Sequence, residues 1–263
     1  MPTVLYTISL PALACVLFLF IETVALLGLL LARRFLLPRL HFHDGINDAV
    51  GGTVQAVGVF YGITVGLIAV GVWNTYAAGS DLASGEAAAI GGLYRDVSSL
   101  PEPSRTVMRD LLRDYTRTLI TVVWPAQKKG VIVNDGTVIV DKLQEALGKF
   151  EPRNNGEMVR YAEALRAFNL MIHQRRLRID AVHGGLSQVM WAVIWVGAAF
   201  SIGVAYLFKI EDARVHLSLV GLMAGFLSLV IFMIVIHDRP FFGNASIEPD
   251  AYQLALDTLM NHR

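Results

Sequence analysis

A single glutamate interrupts a long apolar stretch, in Phe20-Ile21-Glu22-Thr23-Val24. A carboxylate in hydrocarbon must be neutralised, paired or wetted, because its charged form is expensive to desolvate. Glu22 therefore reads in one of two ways: as a member of an ion or proton pathway, or as a protonated carboxyl bonded to Gln55, Tyr61 or a hydroxyl of another helix. A second constellation, His41, His43, Asp44, Asn47 and Asp48, stands just before Gly51-Gly52. Asp44, Asn47 and Asp48 share one helix face, and repeated around an oligomer they would form an acidic ring that concentrates cations. The same spacing also serves N-capping by Asp44, with carboxylates at the positive end of a helix. Two histidines with no fixed third ligand leave a metal site open.

The following stretch carries Gly58, Gly62 and Gly66 at every fourth residue, extended by Gly51 and Gln55. Such a stripe lets another helix approach closely. The opposite face collects Thr53, Val57, Phe60, Thr64, Gly71 and Thr75. Against lipid that face is an ordinary surface; around a symmetry axis it lines a narrow, mildly polar pore with Phe60 as the constriction. Arg175, Arg176 and Arg178 suit either anionic lipid head groups or a solvated helix face. No Gly-rich phosphate loop, His-Glu zinc motif or nucleophile elbow is present, so an enzyme is not expected. No cofactor is expected either.

These residues need helices in a bilayer to hold them. Of 263 residues, 54% are hydrophobic and 17% charged, with a mean hydropathy of +0.52, which is too apolar for an ordinary soluble domain. The 22 Lys+Arg balance the 22 Asp+Glu, so no basic excess points to nucleic acid. One cysteine, Cys15, closes no intramolecular disulfide and builds no cysteine metal cluster. Residues 49–80, 181–208 and 215–237 contain no Asp, Glu, Lys or Arg, and residues 1–32 contain Glu22 alone. A span needs roughly 20 apolar residues to cross about 30 Å of hydrocarbon. Four membrane helices are expected near 5–31, 52–77, 188–208 and 215–236, the first being a retained helix and not a cleaved signal.

The intervening 79–187 holds 15 Lys/Arg and 13 Asp/Glu and reads as a water-facing helical domain. Ser104 is expected to cap a helix with Val107, Leu111, Leu112, Tyr115, Leu119 and Val122 on one face, ended by Trp124-Pro125. The Val/Ile run at 131–140 forms either a small hairpin or the lead into a helix through Leu143 and Leu147. Asn154-Asn155-Gly156 opens a further helix that is interrupted near His183-Gly184-Gly185. The expected organisation is an all-α membrane protein: 1–78 with two spans, 79–187 extramembrane, 188–237 with two more spans, and 238–263 as an amphipathic helix and tail. Lys/Arg near the membrane ends number five on each side, so charge does not choose the orientation.

With these residues laid out, the chain resembles the bacterial bestrophin-like domain family of membrane proteins. The resemblance is carried by Asn47-Asp48, the glycine-rich stretch closing on Trp73, Glu86-Ala87, Leu93-Tyr94-Arg95, Leu100-Pro101 and Arg105. It continues through Tyr115, Trp124-Pro125 and Arg175-Arg176 to Asp238-Arg239-Pro240-Phe241-Phe242-Gly243. Bestrophins are pentameric, calcium-activated anion channels whose second span lines the pore. The resemblance implies a multi-pass homo-oligomeric ion channel of the bacterial inner membrane, self-associating into a ring, with lipid and small ions as partners. It also implies that 79–187 and both termini lie in the cytoplasm. Where bestrophins carry an acidic calcium clasp, this chain offers only Asp238, Glu248 and Asp250, which puts calcium gating and anion selectivity in doubt. The other reading is a non-conducting scaffold or sensor whose helical domain binds a protein or lipid.

Overall fold

The computed structural model describes residues 6, 8–40 and 45–261, and every regular element among them is helical. In chain order these are α1 (Leu10–Leu31), α2 (Ile46–Ser98), α3 (Ser104–Thr118), α4 (Trp124–Lys128) and α5 (Asp135–Gly148). They are followed by α6 (Asn155–Val182), α7 (Gln188–Ala205), α8 (Ala213–His237) and α9 (Asp250–Ala255). α1 runs on through a π-helical turn, Ala32–Leu36, and a 3-10 turn, Leu37–Arg39. Leu10–Arg39, Ile46–Ser98, Gln188–Ala205 and Ala213–His237 are long and apolar enough to cross a membrane, and helices meet the demand that a spanning backbone satisfy its own hydrogen bonds. The second of them does not stop near 77 but continues as one helix to Ser98. His41, His43 and Asp44 lie outside the described residues.

The chain forms two units, 1–74 with 185–238, and 75–184 with 239–263. In the first, α1 buries Leu13, Leu17, Ile21, Ala25 and Leu29, a ridge of every fourth residue, and packs chiefly on α8. The facing ridge on α8 includes Val220, Ala224, Leu227 and Ile231, the interdigitation expected of i, i+4 rows. Two aromatic side chains sit against glycines here. The Tyr61 ring occupies the space where Gly197 would carry a Cβ, and its hydroxyl donates to the Ile194 carbonyl at 2.9 Å. The Tyr206 hydroxyl lies 2.5 Å from the Cβ position of Gly28 and donates to the Ala25 carbonyl at 2.7 Å.

The second unit has one apolar core. Ile90, Leu93 and Val97 of α2, Met108, Leu112 and Tyr115 of α3, Leu143 and Leu147 of α5, and Phe168 and Met171 of α6 are buried in it. The segment after residue 238 belongs to this core: Phe241, Tyr252, Leu256 and Met260 are buried there. It is tied down by Trp124 Nε1–H donating to the Ile247 carbonyl at 2.8 Å, Gly243 N–H to Lys128 O at 2.9 Å and Arg113 Nε–H to Met260 O at 2.8 Å. Its helix is short, α9 followed by a π-helical turn over Leu256–Met260.

Several local expectations change. Ser104 is the first helical residue of α3 and caps nothing; Glu102 does so instead, accepting the Thr106 N–H at 3.2 Å and hydroxyl at 3.0 Å. A carboxylate suits the positive end of a helix. The buried face of α3 turns onto Met108, Leu112, Tyr115 and Thr116, leaving Val107 and Val122 exposed. Trp124-Pro125 does not stop the chain's helical course. The turn Leu119–Val123 widens to π, the Trp124 N–H reaches back to the Leu119 carbonyl, and α4 continues to Lys128. Proline lacks a donor and crowds the preceding turn, and a widened turn accommodates both effects. The 131–140 run forms no hairpin: α5 starts at Asp135. α6 opens where expected, and Asn154 caps it, accepting the Glu157 N–H at 2.9 Å while the Glu157 carboxylate accepts the Arg153 N–H at 2.8 Å.

Candidate functional site

The first-unit part of α2, residues 46–74, meets its own chain along one narrow face. Val50, Tyr61, Val65, Ala69 and Val72 are buried, whereas Phe60 is 74% exposed, and Leu67 and Ile63 are exposed as well. Among the described residues, no other part of the chain comes within 4 Å of a Cβ built on Gly51, Gly58, Gly62, Gly66 or Gly71. Thr53, Thr64 and Gly71 are exposed and Val57 is half-buried. The close helix approaches inside the protomer are thus made at Gly28 and Gly197, while the stripe on α2 is left open. Thr53 and Thr64 each donate their hydroxyl hydrogen to the carbonyl one turn back, Ala49 at 2.9 Å and Phe60 at 2.8 Å. A hydroxyl spent in this way keeps only acceptor capacity for what lies outside the helix.

Glu22 sits half-buried between α1 and α8. Its carboxylate oxygens lie 3.5 Å and 3.0 Å from the Cβ positions of Gly221 and Gly225, so these glycines form the notch that admits it. Of the partners expected for it, Tyr61 donates its hydroxyl to the Ile194 carbonyl and Gln55 is exposed on α2. Asn47 and Asp48, exposed in the first turn of α2, diverge in role. Asn47 donates to the Lys209 carbonyl at 3.0 Å and accepts the Lys209 N–H at 2.8 Å. Asp48 is exposed at the surface.

The most elaborate polar arrangement lies in the second unit. Glu86, fully buried on α2, accepts the Tyr115 hydroxyl at 2.7 Å, the Tyr252 hydroxyl at 2.8 Å and Nε–H of Arg178. Arg178, 1% exposed, also donates to Gln127 Oε1 at 3.1 Å and lies 5.5 Å from the Trp124 ring centroid. Burial disfavours the guanidinium's charge, yet the Glu86 carboxylate overrides it and holds Arg178 above its ordinary pKa. Burial, reinforced by the Glu86 charge, raises both tyrosines well above the usual phenol range. Arg178 is therefore neither solvated nor available to lipid. Glu86, Tyr115, Trp124 and Phe241, all on the stretches that carry the resemblance, meet in this one core. A model of the Bestrophin-like domain matches residues 19–252. The chain belongs to the bestrophin-like family. No curated protein matches it.

In this bestrophin-like protein the four apolar helices make a multi-pass membrane protein in contact with lipid. The carboxylates weighed against a calcium clasp are engaged or dispersed. Asp238, in the first unit, accepts the Tyr6 hydroxyl and the Leu186 N–H, both at 2.6 Å. In the second unit Glu248 pairs with Lys128 at 2.5 Å and Asp250 opens α9. Sequence reasoning gave Arg178 to lipid or solvent and missed Gln127 and Tyr252 as site residues. A signal existed for Arg178: Ala164, Phe168, Met171 and Arg178 fall on one helical stripe of α6, so the arginine follows the buried residues. Tyr252 and Gln127 gave none, since their partners are distant in sequence.

Proposed function

We propose that copies of this chain close into a ring in the bacterial inner membrane and that α2 lines an ion-conducting axis. The observation that supports this reading is the exposed surface of α2: among the described residues nothing lies within 4 Å of a Cβ built on its stripe glycines, and Thr53, Phe60 and Thr64 are exposed, in a chain whose other membrane helices pack on one another. On this reading Gly58, Gly62 and Gly66 seat the neighbouring copy, and Thr53, Val57, Phe60, Thr64 and Gly71 face the axis, with Phe60 narrowest. Asp44, Asn47 and Asp48 mark the entrance. The threonine oxygens, left with acceptor capacity alone, and the Asp48 carboxylate favour cations over anions. Membership of the bestrophin-like family supports both the assembly and the channel.

Purified protein in planar bilayers under asymmetric salt provides the test. Cation-selective currents that rise on Phe60→Ala are the expected result. A silent oligomer would overturn the channel and leave the scaffold reading. Anion-selective currents would keep the channel and remove the face assignment.

A further inference from the structure

Val107, expected on the buried face of α3, is 49% exposed and stands at the edge of a groove. Gly136, at the start of α5, lies beside Tyr115 of α3 and Val123 just beyond it, so the two helices run antiparallel and the end of α5 meets the start of α3. Between them opens a groove of 410 Å³. Its walls are apolar: Val107, Met108 and Leu111 of α3, Pro103 before it and Ala146 of α5. Its polar edge comes from α5, where Lys142, Glu145 and Lys149 recur along one helical stripe. All of these residues belong to the second unit.

The edge carries two cations against one anion. Lys149 is paired with Glu145 at 2.5 Å, so the Lys142 ammonium supplies the net charge of the groove. Glu102, next to Pro103, is taken by Arg105 and Thr106. An apolar body with an anionic head complements such a lining. Size selects among ligands of that kind. Both walls extend for two helical turns, Ser104 to Leu111 and Lys142 to Lys149, which is about 11 Å. A partner helix is about 10–12 Å across with its side chains, and two turns of it fill roughly twice the volume of the groove. A phospholipid brings two chains and a bulky head to a slot only two turns long. A single alkyl chain fits.

We propose that the α3–α5 groove binds a free fatty acid of medium chain length, with its carboxylate on Lys142 and its chain over Val107, Met108 and Ala146 towards Pro103. The antiparallel arrangement sets this direction, because Lys142 stands level with the Leu111 end and Lys149 with the start of α3. The chain supplies the affinity and the ammonium selects the sign of the head group. Complete burial of a methylene is worth about fourfold in affinity, so in a groove open on one side each added methylene should tighten binding about two- to fourfold. An exposed ion pair adds at most about fivefold. The site does not depend on whether α2 lines a pore.

Irradiating the full chain in detergent with a decanoate that carries a terminal diazirine, then digesting it for mass spectrometry, maps where the chain lies. Adducts should fall on the peptides holding 103–111 and 142–149. Unlabelled decanoate should remove them, and hexanoate should compete at least about tenfold more weakly. Decylammonium, which enters detergent with the same chain but carries the opposite charge, should not compete. Lys142→Gln should weaken capture by up to about fivefold. Val107→Glu, at a position already half exposed, sets a carboxylate in the groove and should abolish the adducts while the gel-filtration peak stays unchanged. Equal competition by decylammonium, or adducts spread evenly along the chain, would overturn the proposal. So would disulfide-linked pairs of a Cys15→Ser/Val107→Cys chain, which give the groove to a second copy, or competition by phosphatidylglycerol alone, which gives it to a phospholipid.

Discussion

Glu86→Gln measures what the buried ion pair contributes to the second unit. The amide can retain the hydrogen bonds: with its oxygen in the Oε2 place it accepts from Arg178 and Tyr252, while its NH₂ meets a Tyr115 hydroxyl that turns to accept. Only the counter-charge is lost, and Arg178, 1% exposed, cannot reach water to replace it. Breaking a buried pair from one side costs about 3–5 kcal/mol, and for a chain of this size each kcal/mol moves the midpoint by about 2–4 °C. The expected fall is therefore about 6–20 °C, read as the temperature at which detergent-solubilised protein loses its assembled peak on fluorescence-detected gel filtration. Adding Arg178→Met removes the stranded cation, so the double variant should be less damaged than the two single losses combined, by about 2–3 kcal/mol. Strict additivity, or a loss below 3 °C for Glu86→Gln, would mean that the pair is not what secures these helices.

Three further outcomes follow from the packing. The raised phenols of Tyr115 and Tyr252 stay protonated in the fold while an unfolded tyrosine ionises near pH 10, so their stabilisation is complete below that pH and is lost above it, by about 1.4 kcal/mol per tyrosine per pH unit. Tyr115→Phe/Tyr252→Phe should lower stability at pH 8 yet flatten the alkaline slope between pH 10 and 11.5 in thermal scans. Gly197→Leu should destabilise the protomer by about 1–3 kcal/mol, because Tyr61 fills that space, whereas Gly62→Leu should leave monomer folding intact and reduce only the oligomer mass. Glu22→Leu should leave stability within about 1 kcal/mol of wild type, since among the described residues no hydrogen bond to the carboxylate would be broken; a loss above about 2 kcal/mol would reveal a further partner.

The membrane helices were legible because charge vanishes from four long windows, and that absence survives any error in local propensity. The helices of the second unit were legible where polar residues stop and start them, as at Asn154 and His183-Gly184. What was not legible depends on long-range closure. Ser104 and Trp124-Pro125 look like a cap and a stop by local rules, but Glu102 reaches the first turn of α3 and a π-helical turn absorbs the proline. Arg178 reads as one of three surface arginines until a glutamate 92 residues earlier is placed beside it.

The glycines of α2 sharpen the contrast between packing that is finished within one chain and packing that is not. A glycine in a helix interior gives up roughly 0.5–1 kcal/mol relative to alanine, and lipid chains return nothing for the missing methyl, being as apolar as the side chain they would touch. At Gly28 and Gly197 the return is visible, a tyrosine seated on the backbone with its hydroxyl bonded to a carbonyl. At Gly58, Gly62 and Gly66 none of the described residues occupies the space, yet their regular spacing keeps the openings on one side of α2. On the proposed assembly a second copy would fit this surface better than lipid does, because only a rigid helix converts three aligned gaps into contact along its whole length. With one such neighbour on the glycine side and another copy's α2 reached in turn, the proposed ring would close by rotation, and the remaining face, with Thr53, Phe60 and Thr64, would be the one left to look inward.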